Sequence, residues 1–187
     1  LNRADGFVLM PGSKIEGHVT GAVLADLDGD GDLDLFVARH GPKGRSPWQP
    51  GESNLLLIKT PAGYKQIKTG AAGQGWSLAA CGGDLDDDGD VDLFVANELG
   101  PARLWLNQGG ARFVDASGRA GISTDLATAC AVGDADGDGR LDLLVGGRGA
   151  RQRYLLGRPG AGVPGGLLPS GRRQGRVRSM MAGAGAA

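Results

Sequence analysis

The sequence is poor in several things that would have pointed elsewhere. No apolar run approaches the roughly 20 residues needed to span a bilayer as a helix. Aromatic residues make up 5% of the chain. There are two histidines, His18 and His40, which are expected in different structural contexts; no Ser or Cys nucleophile pattern attends either, so surface placement is the expected role for both. Neither a paired catalytic carboxylate set nor a phosphate-binding glycine loop is present. Only two cysteines occur, Cys81 and Cys130. They stand three and four residues ahead of an Asp-rich loop, and on strands that parity points side chains to opposite faces. Both are therefore expected as small buried residues rather than as a disulfide. No acidic residue follows Asp142.

That last absence splits the chain. Residues 1–147 hold 12 Lys/Arg against all 21 acids, a net charge of −9, while the last 40 residues carry eight arginines and no acid. The near-neutral total conceals two regions of different nature. The first, 1–156, is expected to be folded. The second, 157–187, is rich in Gly, Arg and Ala without periodicity and is expected to be a disordered, dispensable tail. Its Arg172, Arg173, Arg176 and Arg178 are read as nonspecific. The chain begins on Leu1 with no signal peptide in view, which suggests a fragment of a longer protein.

What the sequence has in abundance is glycine, 36 residues of 187, and an internal repeat. Ala25–Ala38 aligns with Gly83–Ala96 and with Gly133–Gly146, at spacings of 58 and 50 residues. The flanks recur as well. Leu106-Asn107 with Phe113 is echoed by Leu1-Asn2 with Phe7 and by Leu57-Ile58 with Tyr64, which gives the first unit a nine-residue insertion around 41–53. Four strands per unit are predicted. The first are Val19–Ala25, Ser77–Gly83 and Ala127–Gly133. The second are Leu33–Ala38, Val91–Ala96 and Leu141–Gly146. The third are Asn54–Lys59, Arg103–Asn107 and Arg153–Leu156. The fourth are Phe7–Met10, Tyr64–Ile67 and Arg112–Asp115. Four strands in roughly 50 residues mark a β-propeller blade. The fold class is all-β, a propeller fragment of about three four-stranded blades. Trp76 and Trp105 are expected in blade packing, and Trp48 lies in the insertion, which is expected to be neutral, the alternative being a binding loop of the kind that long loops on rigid scaffolds often form.

Each Asp-rich loop places carboxylates at positions 1, 3, 5 and 9 with glycine at 6. Loop one has Asp26, Asp28, Asp30, Gly31 and Asp34, loop two Asp84, Asp86, Asp88, Gly89 and Asp92, and loop three Asp134, Asp136, Asp138, Gly139 and Asp142. Position 7, occupied by Asp32, Asp90 and Arg140, needs to lend only its backbone carbonyl, so the Arg140 side chain is free to point to solvent. Calcium takes six to eight oxygens, and this spacing converges them on one point. About three calcium ions are expected. Loop two crowds six carboxylates, Asp87 included, into nine residues, which a bound cation would relieve. The loops are not EF-hands: position 12 is Val37, Val95 or Val145 in place of the bidentate Glu, and apolar β-type segments follow where helices would stand.

The DxDxDG loops resemble those of FG-GAP/VCBS repeats, as in the N-terminal propeller of integrin α chains. Arg103-Leu104-Trp105-Leu106-Asn107, Phe113-Val114-Asp115 and Ala120-Gly121-Ile122 look more like the branch holding the cartilage acidic proteins and UnbV. The literal FG and GAP signatures are absent, and the VCBS-type variant fits better. The resemblance covers residues 1–156 and implies an extracellular or cell-surface propeller with structural calcium. It does not imply one function. The first reading is a non-enzymatic scaffold for adhesion or extracellular recognition, with a protein or carbohydrate ligand and no specific nucleic acid. The alternative is an accessory propeller of a secreted enzyme of polysaccharide lyase or lipase type, with catalysis outside this chain.

Overall fold

A computed structural model describes residues 2–3, 6–7, 15–41, 52–73, 76–98, 100–122, 127–147, 153–156 and 168–169. Trp48, the arginines of the tail and nearly all of 157–187 lie outside the described residues. So does most of the expected strand Phe7–Met10.

Three antiparallel four-stranded sheets repeat one plan. Blade one is β3 (His18–Ala25), β4 (Asp34–His40), β5 (Leu55–Thr60) and β6 (Gly63–Ile67) in order. Blade two is β7 (Ser77–Gly83), β8 (Asp92–Asn97), β9 (Arg103–Asn107) and β10 (Phe113–Asp115). Blade three is β11 (Ala127–Gly133), β12 (Asp142–Gly147), β13 (Arg153–Leu156) and β14 (Leu168–Pro169). A separate hairpin, β1 (Asn2–Arg3) with β2 (Gly6–Phe7), pairs Asn2 with Phe7 as Asn107 pairs with Phe113. Strand β14 falls inside the stretch expected to be tail. Its proline, unable to donate to a ladder, sits at the outer edge of the sheet.

The second strand of the middle blade shows why the sequence reads as a continuous apolar run. In β8, Leu93 and Val95 pack into the core shared with blade one, while Phe94 and Ala96 pack into the core shared with blade three. A strand buried on both faces has no polar alternation. The first strands are small-residue strands because the blades converge there. A Cβ on Gly82 would lie 2.6 Å from a Val23 methyl, and one on Gly83 2.8 Å from a Leu141 methyl. Every first strand also carries an irregularity at the same place: Val19/Gly21, Ser77/Ala79 and Ala127/Ala129. In blade one the extra residue is Thr20, whose hydroxyl donates to the Ser77 carbonyl of the next blade at 2.7 Å.

Three readings of the sequence are corrected. Leu57 pairs with Leu35 just as Trp105 pairs with Leu93, so Leu57 corresponds to Trp105 and not to Leu106. The third strand shifts by one residue, which exchanges its faces, and the insertion becomes ten residues. The unbroken apolar run Leu55-Leu56-Leu57-Ile58 hid the register.

His18 and His40 do not sit in separate contexts. They are cross-strand partners with ring centroids 5.6 Å apart, and His40 also meets Trp76 edge-on at 4.6 Å and Glu98 at 2.8 Å. Residues so far apart in sequence meet because a first strand and a second strand end together, at the end of the blade opposite the Asp loops.

Cys81 and Cys130 form a disulfide, with Cα atoms 6.1 Å apart. The parity that seemed to separate them is what joins them. Successive blades stack in the same sense, so one face of each meets the opposite face of the next. Ala79 faces blade three along with Cys81, and Val132 faces blade two along with Cys130.

Candidate functional site

The three Asp loops are the hairpin connections β3–β4, β7–β8 and β11–β12, and each is built by its own carboxylates. In loop one, Asp26 Oδ1 accepts from the amides of Gly29 at 2.8 Å and Asp30 at 3.1 Å, and Oδ2 from Gly31 at 2.9 Å. Loop three repeats this with Asp134 and the amides of Gly137, Asp138 and Gly139. In loop two, Asp84 accepts from Asp88 and Gly89. The position-5 carboxylates of Asp30, Asp88 and Asp138 accept from the position-7 amides of Asp32, Asp90 and Arg140. The curl needs left-handed backbone at positions 4 and 6. Glycine supplies it everywhere except at Asp87, where φ is 67°.

Position 9 is different in kind. Asp34, Asp92 and Asp142 are buried, and each begins a second strand. Asp92 Oδ2 accepts from Leu85 N and Oδ1 from Asn107 N, both at 2.8 Å. Asp34 does the same with Leu27, Asp28 and Lys59, and Asp142 Oδ2 accepts from Ala135 N. This carboxylate pins the loop to the third strand. Sequence reasoning gave it a ligand role only, because its partners are main-chain amides that no side-chain pattern reveals. On this geometry Asp92→Ala is expected to destabilise the fold by on the order of 3 kcal/mol even with chelator present, since two buried N–H groups lose their acceptors. Asp88→Ala, at an exposed position, should cost far less there. Equal losses in chemical denaturation would refute the distinction.

Position 2 is a plug. Leu27 and Leu85 are buried, and the Leu27 carbonyl accepts from Asn107 Nδ2 at 2.8 Å and Ala111 N at 3.0 Å, both in blade two. Loop one is thereby seated against the next blade.

The carboxylates of positions 1, 3 and 9 come together in every loop. In each of the sets Asp26/Asp28/Asp34, Asp84/Asp86/Asp92 and Asp134/Asp136/Asp142, one oxygen per residue lies within 4.8 Å of the others. The electrostatics show the strain of that assembly. Burial, then the neighbouring Asp88 and Asp84, push Asp86 up to about 6. Burial pushes Asp92 up to about 7 against the pull of its two amide donors. Asp28 is raised by burial and then by Asp34 and Asp30. Asp86 Oδ1 is shut off from solvent and accepts no hydrogen bond. An oxygen in that state fits coordination to a cation. The donors are all oxygen, which suits a hard ion and not zinc or copper. Among the described residues, no helix is long and apolar enough to cross a membrane.

Arg140 does not point to solvent as its position in the loop had suggested. Its Nε lies 3.0 Å from Asp87 Oδ2 of loop two, and its Nη1 lies 3.5 Å from Asp138 Oδ2.

The comparisons agree with this architecture. The FG-GAP-like repeat matches residues 84–145, from the first carboxylate of loop two to the middle of β12. The chain is similar to cartilage acidic protein 1 of mouse and of human, at 28% identity over 142 residues, 70% of this chain and 21% of each relative. It thus spans about a fifth of the length of the curated relatives it matches. With three four-stranded antiparallel sheets of one build, the chain is an all-β propeller fragment that carries an FG-GAP-like repeat at residues 84–145.

Proposed function

We propose that the chain is a calcium-stabilised section of an extracellular propeller used for adhesion or recognition, with one ion in each Asp loop. The observation that carries this reading is the recurrence of the same three-carboxylate cluster in three sister loops, one of them with an oxygen left buried and without a partner. In loop one the ion's ligands are Asp26, Asp28, Asp30 and Asp34 with the carbonyl of Asp32. In loop two they are Asp84, Asp86, Asp88 and Asp92 with the carbonyl of Asp90. In loop three they are Asp134, Asp136, Asp138 and Asp142 with the carbonyl of Arg140. Calcium suits this set better than magnesium, which demands a tight octahedron and keeps its waters. The ion's role is structural: it neutralises carboxylates that the fold forces together.

The disulfide supports placement outside the cytosol, where such bonds persist. A protein or carbohydrate ligand is proposed from the family resemblance alone.

Titration calorimetry of the whole chain tests the metal reading. About three ions should bind, with dissociation constants on the order of 10⁻⁴–10⁻³ M as in other extracellular modules. Asp28→Ala, Asp86→Ala and Asp136→Ala should each remove one ion. Absence of binding, or stoichiometry unchanged by all three substitutions, would overturn it.

A further inference from the structure

Two positions change the charge of the loop pattern. Position 4 is Gly29 in loop one and Gly137 in loop three but Asp87 in loop two, and position 7 is Asp32 and Asp90 in the first two loops but Arg140 in the third. The two departures meet in space. Arg140 Nε stands 3.0 Å from Asp87 Oδ2 across the boundary between blades two and three. The approach is off the line of the N–H, so the contact is an ion pair rather than a hydrogen bond, and the Nε is closed off from water.

Neither residue is explained by its own loop. Asp87 holds a left-handed conformation, φ 67°, where its sisters are glycines at 83° and 79°. A side chain there is strained relative to glycine, though Asp tolerates it better than most. Its carboxylate lies outside the set formed by Asp84, Asp86 and Asp92, and it adds a negative charge to the most acidic of the three loops. Arg140, for its part, sets a positive charge inside a loop read as a cation site. Together they make sense: an extra anion in one blade and an extra cation in the next, placed to meet.

We infer that Arg140 serves loop two, as a built-in counter-cation that clasps Asp87 and ties the second blade to the third at the metal-loop end. The clasp itself is independent of calcium. Its consequence for metal rests on the proposed calcium reading: Arg140→Asp, which would restore the acidic position 7 of the sister loops, does not tighten loop three while Asp87 faces it.

A double-mutant cycle on the whole chain tests this, using wild type, Asp87→Gly, Arg140→Asp and the double variant. In chelator, Arg140→Asp is expected to lower the thermal midpoint by about 2–4 °C, as loss of an ion pair and gain of a like-charge contact require. Asp87→Gly should recover that loss in the Arg140→Asp background and change the wild type much less. Arg140→Gln, which removes charge and keeps length, supplies the same cycle where Arg140→Asp does not fold. A shift from Asp87→Gly that is equal in both backgrounds would overturn the clasp. With calcium present, the double variant should bind at loop three more tightly than either Arg140→Asp or wild type, and tightening by Arg140→Asp alone would overturn the inference. Failure of the wild type to bind calcium at all would sink the metal reading, while the chelator cycle still decides the clasp.

Discussion

Stripping calcium from the folded chain is expected to lower its thermal midpoint further than any single substitution. An ion that binds the native state and not the unfolded chain stabilises by mass action, about 1.4–2.7 kcal/mol per site at ten- to a hundredfold excess over its dissociation constant. Three independent loops make this about 4–8 kcal/mol, a large share of the stability of an ordinary domain. The source of the effect is visible in loop two, where burial and then like charge push Asp86 up to about 6 and burial pushes Asp92 up to about 7, so that ionisation of both is opposed. A cation removes that opposition, and a chelator restores it. The measurement is calorimetric unfolding of the whole chain in ~10 mM calcium and in chelator, with magnesium as a third arm. Calcium should raise the midpoint strongly and magnesium weakly. A midpoint indifferent to calcium would dispose of the structural role.

The second large effect expected is loss of the Cys81–Cys130 disulfide. The bridge closes a loop of 49 residues between the first strands of blades two and three. In the chain-entropy account, a loop of that length restrains the unfolded chain by roughly 4 kcal/mol. Replacement by Cys81→Ala with Cys130→Ala should therefore lower stability by about that much in chemical denaturation, and a reducing agent should do the same to the wild type. If the reduced wild type and the double variant both unfold at the oxidised midpoint, the bridge constrains nothing that folding does not already constrain.

Most of the architecture was legible because repetition is a sequence property. Asp loops at fixed intervals, each followed by an apolar run, placed the first and second strands within a residue or two of where they lie. The carboxylates of positions 1, 3 and 9 stand together in each loop, while the spacing had grouped the position-5 carboxylates with them. What could not be read was the relation between units. Cys81 and Cys130 looked mismatched until blades were seen to stack front to back. Asp87 and Arg140 looked like separate irregularities of separate loops, and His18 and His40 like strangers. Each pair meets across strands or across a blade boundary, and a one-dimensional alignment carries no information about which face of one unit meets which face of the next. The third strand of blade one slipped by one because leucine-rich segments look alike in either register. The bracing role of Asp34 and Asp92 was hidden for another reason: the amides of Lys59 and Asn107 are main-chain groups and leave no mark in composition.

The disulfide also decides how this chain would carry a load. Tension applied at the two ends travels along the backbone to Cys81, crosses the S–S bond and leaves at Cys130. The segment between them, which includes β8, β9, β10 and loop two, is bypassed and feels no pull. Reduction would release roughly 160–175 Å of extended chain into the load path at once. Oxidised, the molecule lengthens only by unravelling what lies outside that span, so a pulled chain would lose blade one or blade three while the strands and Asp loop within the bypass stay slack.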